Sequence, residues 1–509
     1  MKKRYITWMS AFVGLMMLVL TGCQSIGGVD LNKALQNNLE VASYEGTSNF
    51  SIELIGGSDF DWAADGEDLS FLNNLQLEMN NIKMQDRNTL SMDAALVTGK
   101  GKFPFSVSMT KEEIAVQFEG AAKPVYLKLD DYTSIDPMMM TINWAGLSET
   151  LENNQEQLLK AVGPFIINNL PNPDNIKVSN TSEQIDGIFT NLTKVQVEIK
   201  GSEVLDLLKA FIDNINANDQ ALKEVIQQIF TLVIDPVQKE LQGEIEGLDN
   251  GVDVSPATVD EIYNAAKEGL TELSLEIEAM KNSGEADEFL NENNYMKVDM
   301  YVDSSSQIRK MDMELVLNNP EPSNDDLNTI KIKSTSEMWN INHAVKADII
   351  NTQDGLNVES VTMGKFLKNL DANSALYKLM VDDLGLKSKY IYLPIWEEVD
   401  GELYELPYID PVTEKAMAPV RFVTEELDAD VTWDNEKRQV TVVDIWTGKT
   451  IVMTIESSTA TVDGVPVEME GVATLQGDTT YVPLRFIAET FGAEVNWDTE
   501  DWAVIITRD

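Results

Sequence analysis

Tyr481-Val-Pro-Leu-Arg-Phe-Ile-Ala-Glu-Thr-Phe-Gly-Ala-Glu-Val-Asn-Trp-Asp498, continued by Thr-Glu-Asp-Trp-Ala-Val-Ile-Ile506, is the stretch whose reading decides the fold, because the chain contains it twice. At a constant offset of 64 residues, Ala418-Pro-Val-Arg-Phe-Val-Thr-Glu-Glu-Leu-Asp-Ala-Asp-Val-Thr-Trp-Asp434 repeats it without a gap, pairing Pro419 with Pro483, Arg421 with Arg485, Phe422 with Phe486 and Trp433 with Trp497. A match of this length is an internal repeat. Pro483 suits a first helical position, and Leu484, Ile487, Ala488 and Phe491 then follow the spacing of one apolar helix face. Gly492 ends the helix in the left-handed conformation, and Asp428 fills that place in the first copy because Asp tolerates it. Ala493, Val495 and Trp497 alternate as a strand, and Trp502, Val504 and Ile506 return as its partner. Each copy is thus a helix plus a hairpin, too small to bury its own apolar face, so the two are expected to pack as one domain.

The signature V-P-L-R-F-I-A-E-x-x-G-A-x-V-x-W-D in these residues resembles the copper amine oxidase N-terminal-like domain, also called the stalk domain, of bacterial surface proteins. The second copy carries it closely, and the first departs at Ala418, Thr424 and Asp428. The resemblance covers about a quarter of the chain and implies a non-catalytic accessory module, without the oxidase chemistry and without a cofactor.

The amino terminus bounds the compartment. Met1-Lys-Lys-Arg4, an apolar run from Trp8 to Leu20, and Leu20-Thr-Gly-Cys23 make a signal peptide whose core is too short to span a bilayer. The last four residues resemble a bacterial lipobox, which implies cleavage of residues 1–22 and lipid attachment to Cys23, the one cysteine of the chain. The expectation is an extracytoplasmic protein held to the bacterial cell membrane by that lipid, with no later spanning segment. Loss of Lys2, Lys3 and Arg4 with the leader takes the net charge from −47 to −50. Such acidity disfavours nucleic acid, which is bound through Lys and Arg patches, and favours solubility in a cation-rich wall.

Residues 23–45 read as a tether and a short helix through Leu31, Leu35 and Leu39. From Phe50 the pattern alternates: Phe50, Ile52, Leu54; Leu75, Leu77, Met79; Leu90, Met92, Ala94, Leu96; Phe103, Phe105, Val107, Met109. Apolar helical stripes interrupt it at Val204–Ile215 and Leu222–Val233, and a further helix is expected to open at Ser255 with Pro256. Leu273 to Ala279 reads as strand, and Met296–Val302 with Ile308–Leu315 as a hairpin. The fold class is therefore α+β. A large curved antiparallel sheet packed on inserted helices (residues 46–386) precedes a smaller α+β domain of two helix-plus-hairpin repeats (387–509, copies near 418–444 and 482–508). The element order of the body, with its lipid anchor, is similar to the half-barrel lipoproteins related to the LolA and LppX lipid carriers. That resemblance implies an apolar ligand such as a lipid held in the curved sheet, and the 22 methionines suit an adaptable apolar cavity as well as core filling.

Chemistry-bearing residues are few. His343 is the lone histidine, expected as a structural strand residue, and it supplies neither a copper nor a zinc set nor a Ser-His-Asp triad. The acidic run Asp59, Asp61, Asp65, Gly66, Asp68 fails as a calcium loop because Ala63 and Leu72 fall where oxygen ligands are needed, leaving a solvated turn. No metal, cofactor or enzymatic activity is expected. Arg421 and Arg485 stand out because cations are scarce and both recur in the repeat. Either they pair with a carboxylate such as Asp434 or Asp498 and fasten helix to hairpin, or they form an anion or glycan site with Trp433, Trp497 or Trp502 as stacking platforms. The same tryptophans also fit a core role. The preferred reading is a lipid-anchored surface protein whose stalk-type domain binds a cell-wall polymer or surface protein; the alternative is a carrier or sensor of an apolar ligand.

Overall fold

The computed structural model describes residues 30–64, 67–129, 144–234, 236, 258–394, 407–499 and 502–508. The leader, Cys23 and the Ser255-Pro256 helix start lie outside them. Two compact units divide the chain: Met1–Val116 with Lys128–Ile350, and Gln117–Leu127 with Asn351–Asp509.

The first unit is a curved antiparallel sheet with inserted helices. After helix α1 (Leu31–Leu39) come strands β1 (Tyr44–Gly56), β2 (Asn74–Asp86), β3 (Thr89–Thr98), β4 (Gly101–Met109) and β5 (Glu113–Phe118). Helix α2 (Trp144–Asn169), strands β6 (Asn175–Ile185) and β7 (Ile188–Lys200), helices α3 (Val204–Ala217), α4 (Asp219–Ile229) and α5 (Val259–Ser283), and strands β8 (Tyr295–Val302), β9 (Ile308–Asn318) and β10 (Leu327–Trp339) follow. The strands lie side by side in the order β5-β4-β3-β2-β1-β10-β9-β8-β7-β6. The period-two residues set the register. Phe50 faces Leu77, Ile52 faces both Leu75 and Ile332, and Leu96 faces Leu77 and Phe103, so these side chains share one face.

That face is covered unevenly. Around β7 to β9 it is sealed: Val195, Val197, Val298, Met300 and Leu315 form a core with Leu31 and Ala34 of α1 and Val204 and Leu207 of α3. A second core lies among the helices, where Phe211, Ile212 and Ile215 of α3 meet Leu222 and Ile226 of α4 and Ile277 of α5. Across β1 to β4, however, Phe50, Ile52, Leu77, Met79, Met92 and Phe105 stay only half-buried.

Leu273 to Ala279 is helical, not extended, and lies inside α5. The alternation of apolar residues there was misleading because Leu273 and Leu275 face solvent on an amphipathic helix. Its start is marked by Thr258, which accepts the Glu261 N–H while Glu261 accepts from Thr258, a reciprocal cap.

The second unit holds the duplicated segment. Helix α6 (Met363–Asn369) and strand β11 (Lys389–Pro394) precede the first copy: β12 (Ala416–Pro419), α7 (Val420–Glu426), β13 (Ala429–Asp434) and β14 (Gln439–Asp444). Strands β15 (Thr450–Thr454), β16 (Thr459–Val462), β17 (Val465–Glu468) and β18 (Thr474–Gln476) intervene. The second copy is β19 (Thr479–Pro483), α8 (Leu484–Thr490), β20 (Glu494–Asp498) and β21 (Ala503–Arg508). Pro419 and Pro483 cap their helices from outside and do not occupy the first turn. Asp428 and Gly492 take the left-handed conformation expected of them, with φ of 57° and 82°.

The copies meet through β12 and β19, where Met417 pairs with Pro483, Ala418 with Val482 and Pro419 with Tyr481. Ala418 and Val482 are equivalent positions, so a local pseudo-two-fold passes between them. Burial follows the same logic: each helix lends residues to the other copy's sheet. Ile487 of α8 and Phe491 just after it pack with Val440, Val442, Ile451 and Met453, while Val423 of α7 and Leu427 just after it pack with Ile391, Leu393, Val504 and Ile506. The two copies therefore share one folded unit.

In packing terms the boundary falls at Asn351, earlier than the position near Leu386 read from the sequence. The cause is local. Strand β11 completes the sheet of the second copy by pairing with β21, and α6 docks through Gly364, whose N–H donates to Asp428 Oδ1 at 3.2 Å. A Cβ on Gly364 would meet Asp428 Cγ at 2.4 Å, so this approach requires glycine.

Candidate functional site

Two side-chain arrangements organise the second unit, one buried and one open. The buried one lies where the copies meet. Arg508, at the end of β21, gives both Asp444 carboxylate oxygens an N–H at 2.9 Å and donates to the Leu427 carbonyl at 2.7 Å. Asp444 is fully buried and also accepts from the Thr447 N–H and hydroxyl. Positions 444 and 508 are themselves equivalent in the repeat. Beside them Asp428, also buried, accepts from Trp446 Nε1 at 3.0 Å and pairs with Lys389 at 3.1 Å. These groups are satisfied by one another, which makes them structural.

The open arrangement is a cleft of 360 Å³ against α8 and β20 of the second copy, lined by Glu470, Pro483, Arg485, Phe486, Asn496 and Trp497, and by Lys415 and Ala416 at the start of the first copy, among others. Its volume lies in the range of about 300–1,000 Å³ typical of small-ligand pockets. Arg485 is set by α8: its Nη1 donates to Glu489 at 2.9 Å, one helical turn on, and to the Val495 carbonyl at 3.0 Å. Lys415 pairs with Glu470 at 2.6 Å. That ammonium holds the Glu470 carboxyl below the usual range, and the Arg485 field adds to the effect. Trp497 is 40% exposed, and Trp502, 55% exposed, stands against it edge to face at 6.1 Å.

These findings refine the sequence expectations. Arg485 does fasten helix to hairpin, through the Val495 carbonyl, and its carboxylate partner is Glu489 in place of Asp498. Arg421 pairs with Glu425 at 3.2 Å, again within its own helix, in place of Asp434. Asp434 instead accepts the backbone N–H groups of Glu436 and Lys437 in the hairpin turn. The strand alternation suited Trp433 and Trp497 to the core, yet both are 40% exposed, although their ladder partners Val440 and Val504 are buried. The structure brings Arg485 and Trp497 together in one cleft; the corresponding Arg421 and Trp433 of the first copy are both exposed. The buried Asp444–Arg508 pair was missed, because the repeat offset makes the two positions equivalent without showing that they meet.

In the first unit, His343 lies in an exposed turn after β10, not in a strand, with Nδ1 2.9 Å from the Ile341 carbonyl. Asp61 and Asp68 accept the backbone N–H groups of Ala63 and Ser70, as turn residues do. The Ser70 N–H holds the Asp68 carboxyl below the usual carboxylate range. A larger cleft of 810 Å³ opens between α1, the β2–β3 turn and α2, lined in part by Leu39, Arg87, Lys111, Leu159 and Lys160. Among the described residues, no three His, Cys, Asp or Glu side chains are grouped to hold a metal ion, and no helix is long and apolar enough to cross a membrane.

Residues 398–506 match the family described as the copper amine oxidase N-terminal domain. Among solved structures, the chain is similar to LprF from Mycobacterium bovis at 9% identity and a TM-score of 0.21, over 63% of this chain and 94% of that one. No curated protein matches the chain.

Proposed function

We propose that this chain is a lipid-anchored, extracytoplasmic surface protein, tethered through Cys23, whose duplicated unit is a non-catalytic module that binds a cell-wall or surface partner. The observation that carries this reading is the cleft of the second copy, where Arg485 and Trp497 converge and Trp502 stands exposed beside them. Exposed indoles next to fixed polar groups are the residues that dominate binding surfaces. Sedimentation with purified cell walls tests it. The mature chain is expected in the pellet and Trp497→Ala in the supernatant; a mature chain that stays in the supernatant removes the reading. Cys23→Ala is expected to leave the membrane fraction, and unchanged retention there overturns the anchor.

A second reading, that the body carries an apolar ligand, is favoured by the half-buried face of β1 to β4. Phe50, Ile52, Leu77, Met79 and Met92 are half-buried, share one face, and among the described residues stand outside the two large cores of the first unit. Mass spectrometry of an organic extract of the purified protein tests it: a stoichiometric lipid supports carriage, and its absence removes it.

A further inference from the structure

We propose that the partner of the second-copy cleft is an uncharged glycan chain, stacked on Trp497 and Trp502. This inference rests on the binding reading above and names the chemistry of its ligand.

The first observation is the backbone of Trp502. It sits at φ 50°, a left-handed conformation that glycine and asparagine adopt readily and a bulky side chain does not. The hairpin turn itself demands that conformation, since the equivalent Arg438 of the first copy has φ 51°. Its side chain is 55% exposed, with its ring edge to face against Trp497. An indole held in a strained turn without burial is explained by what it offers to solvent.

The second observation is the pairing of the two rings. Trp497 lines the cleft, and Trp502 stands beside it, edge to face at 6.1 Å with the ring planes 73° apart. Sugar rings carry patches of C–H on their faces and hydroxyls at their edges, which suits aromatic faces bordered by polar groups.

The third is charge. The cations of the cleft are already matched, Lys415 by Glu470 and Arg485 by Glu489, and the chain carries a net charge of −47. A polyanion would meet a net negative field and, among the described residues of the cleft, cations that already have carboxylate partners. Hydroxyls and acetamido groups can hydrogen-bond with the carboxylates, with the remaining N–H bonds of Lys415 and Arg485, and with the Asn496 amide.

The test uses the mature chain and a soluble β-linked N-acetylglucosamine oligomer, with a polyol-phosphate polymer as the anionic control. Binding is read by quenching of tryptophan fluorescence and by calorimetry. The oligomer is expected to bind, and Trp502→Asn, which relieves the turn, is expected to weaken it on the order of tenfold while leaving the fold intact by circular dichroism. Trp497→Phe is expected to weaken it less. Wild-type affinity in Trp502→Asn overturns the proposal, as does preference for the phosphate polymer. If walls still pull down the mature chain but the oligomer neither binds nor competes, the glycan assignment falls and the partner is of another class. If walls do not bind at all, the parent reading falls with it.

Discussion

The ion pair between Asp444 and Arg508 is expected to hold the two copies in register, and its removal should loosen the whole second unit. The pair lies on the pseudo-two-fold, where equivalent positions of the repeat come together. Two aspartates there would repel and so would two arginines, so the arrangement is possible only because the copies differ at this position. Asp444 is fully buried and Arg508 nearly so. Breaking such a pair by removing one partner costs about 3–5 kcal/mol, since the other charge is left desolvated without compensation. Asp444→Asn and Arg508→Met are each expected to fall in that range. Hydrogen-exchange mass spectrometry reads this locally. If β14 and β21 exchange through opening of the unit, 3–5 kcal/mol corresponds to a rise of roughly a hundredfold to a few thousandfold, at tenfold per 1.4 kcal/mol. Peptides from β7 to β9 serve as the internal control and should stay unchanged. Because the axis maps one position onto the other, Asp444→Arg combined with Arg508→Asp should recover part of the loss, whereas either reversal alone buries like charges. The reasoning is refuted if the neutralised variants exchange within about threefold of wild type, or if the double reversal is as damaged as the sum of its singles.

Other consequences can be measured on the same protein. Leu427, fully buried between the copies, should cost about 2–5 kcal/mol on truncation to alanine, read by denaturant unfolding followed on the second unit. Trp502→Asn should hold stability or raise it by about 1 kcal/mol, because asparagine occupies the left-handed region at lower cost; a clear loss would mean that the indole is structural. Tyr295 donates to Glu314 at 2.8 Å, and this bond, with burial, pushes its phenol up to about 12 from 10.0. The unfolded chain then loses this proton first, so the stabilisation is complete below pH 10 and fades as pH rises towards about 12. The Tyr295→Phe variant should lose less stability over that window, and a Tyr295 phenolate absorbance that rises near the ordinary pH would contradict the assignment.

Much of the architecture could be read from residue periodicity. Phe50, Ile52 and Leu54, or Met296, Val298 and Met300, state a strand and its buried face in three letters, because side chains alternate across a sheet. The same rule misled at Leu273–Ala279, where surface leucines on a long helix mimic alternation. The repeat offset gave the pairing of the copies but not the site of closure. Strand β11 lies outside the duplicated motif, and its match to β21 depends on contacts far apart in sequence. The cleft was half legible: Arg485 and Trp497 were identifiable as recurring residues, but Lys415 and Glu470 enter it from segments with no motif of their own. The exposure of Trp502 depends on a turn conformation that only backbone geometry reveals.

Comparison of the two copies with each other separates scaffold from task. Where they agree, at Pro419 and Pro483, Ala429 and Ala493, Val431 and Val495, and Val440 and Val504, the residues cap helices or fill the shared core. Where they differ, the environments differ. Asp428 receives Gly364, Lys389 and Trp446, while the equivalent Gly492 is exposed and ends a helix. Asp444 and Arg508 complete one ion pair from two unlike halves. Arg438 and Trp502 occupy the same strained turn, and in the second copy Trp502 lies beside the strand tryptophan Trp497. Asp428 of the first copy thus ties the unit to α6 and β11. In the second copy the cleft opens beside Arg485 and Trp497, with Trp502 exposed next to them.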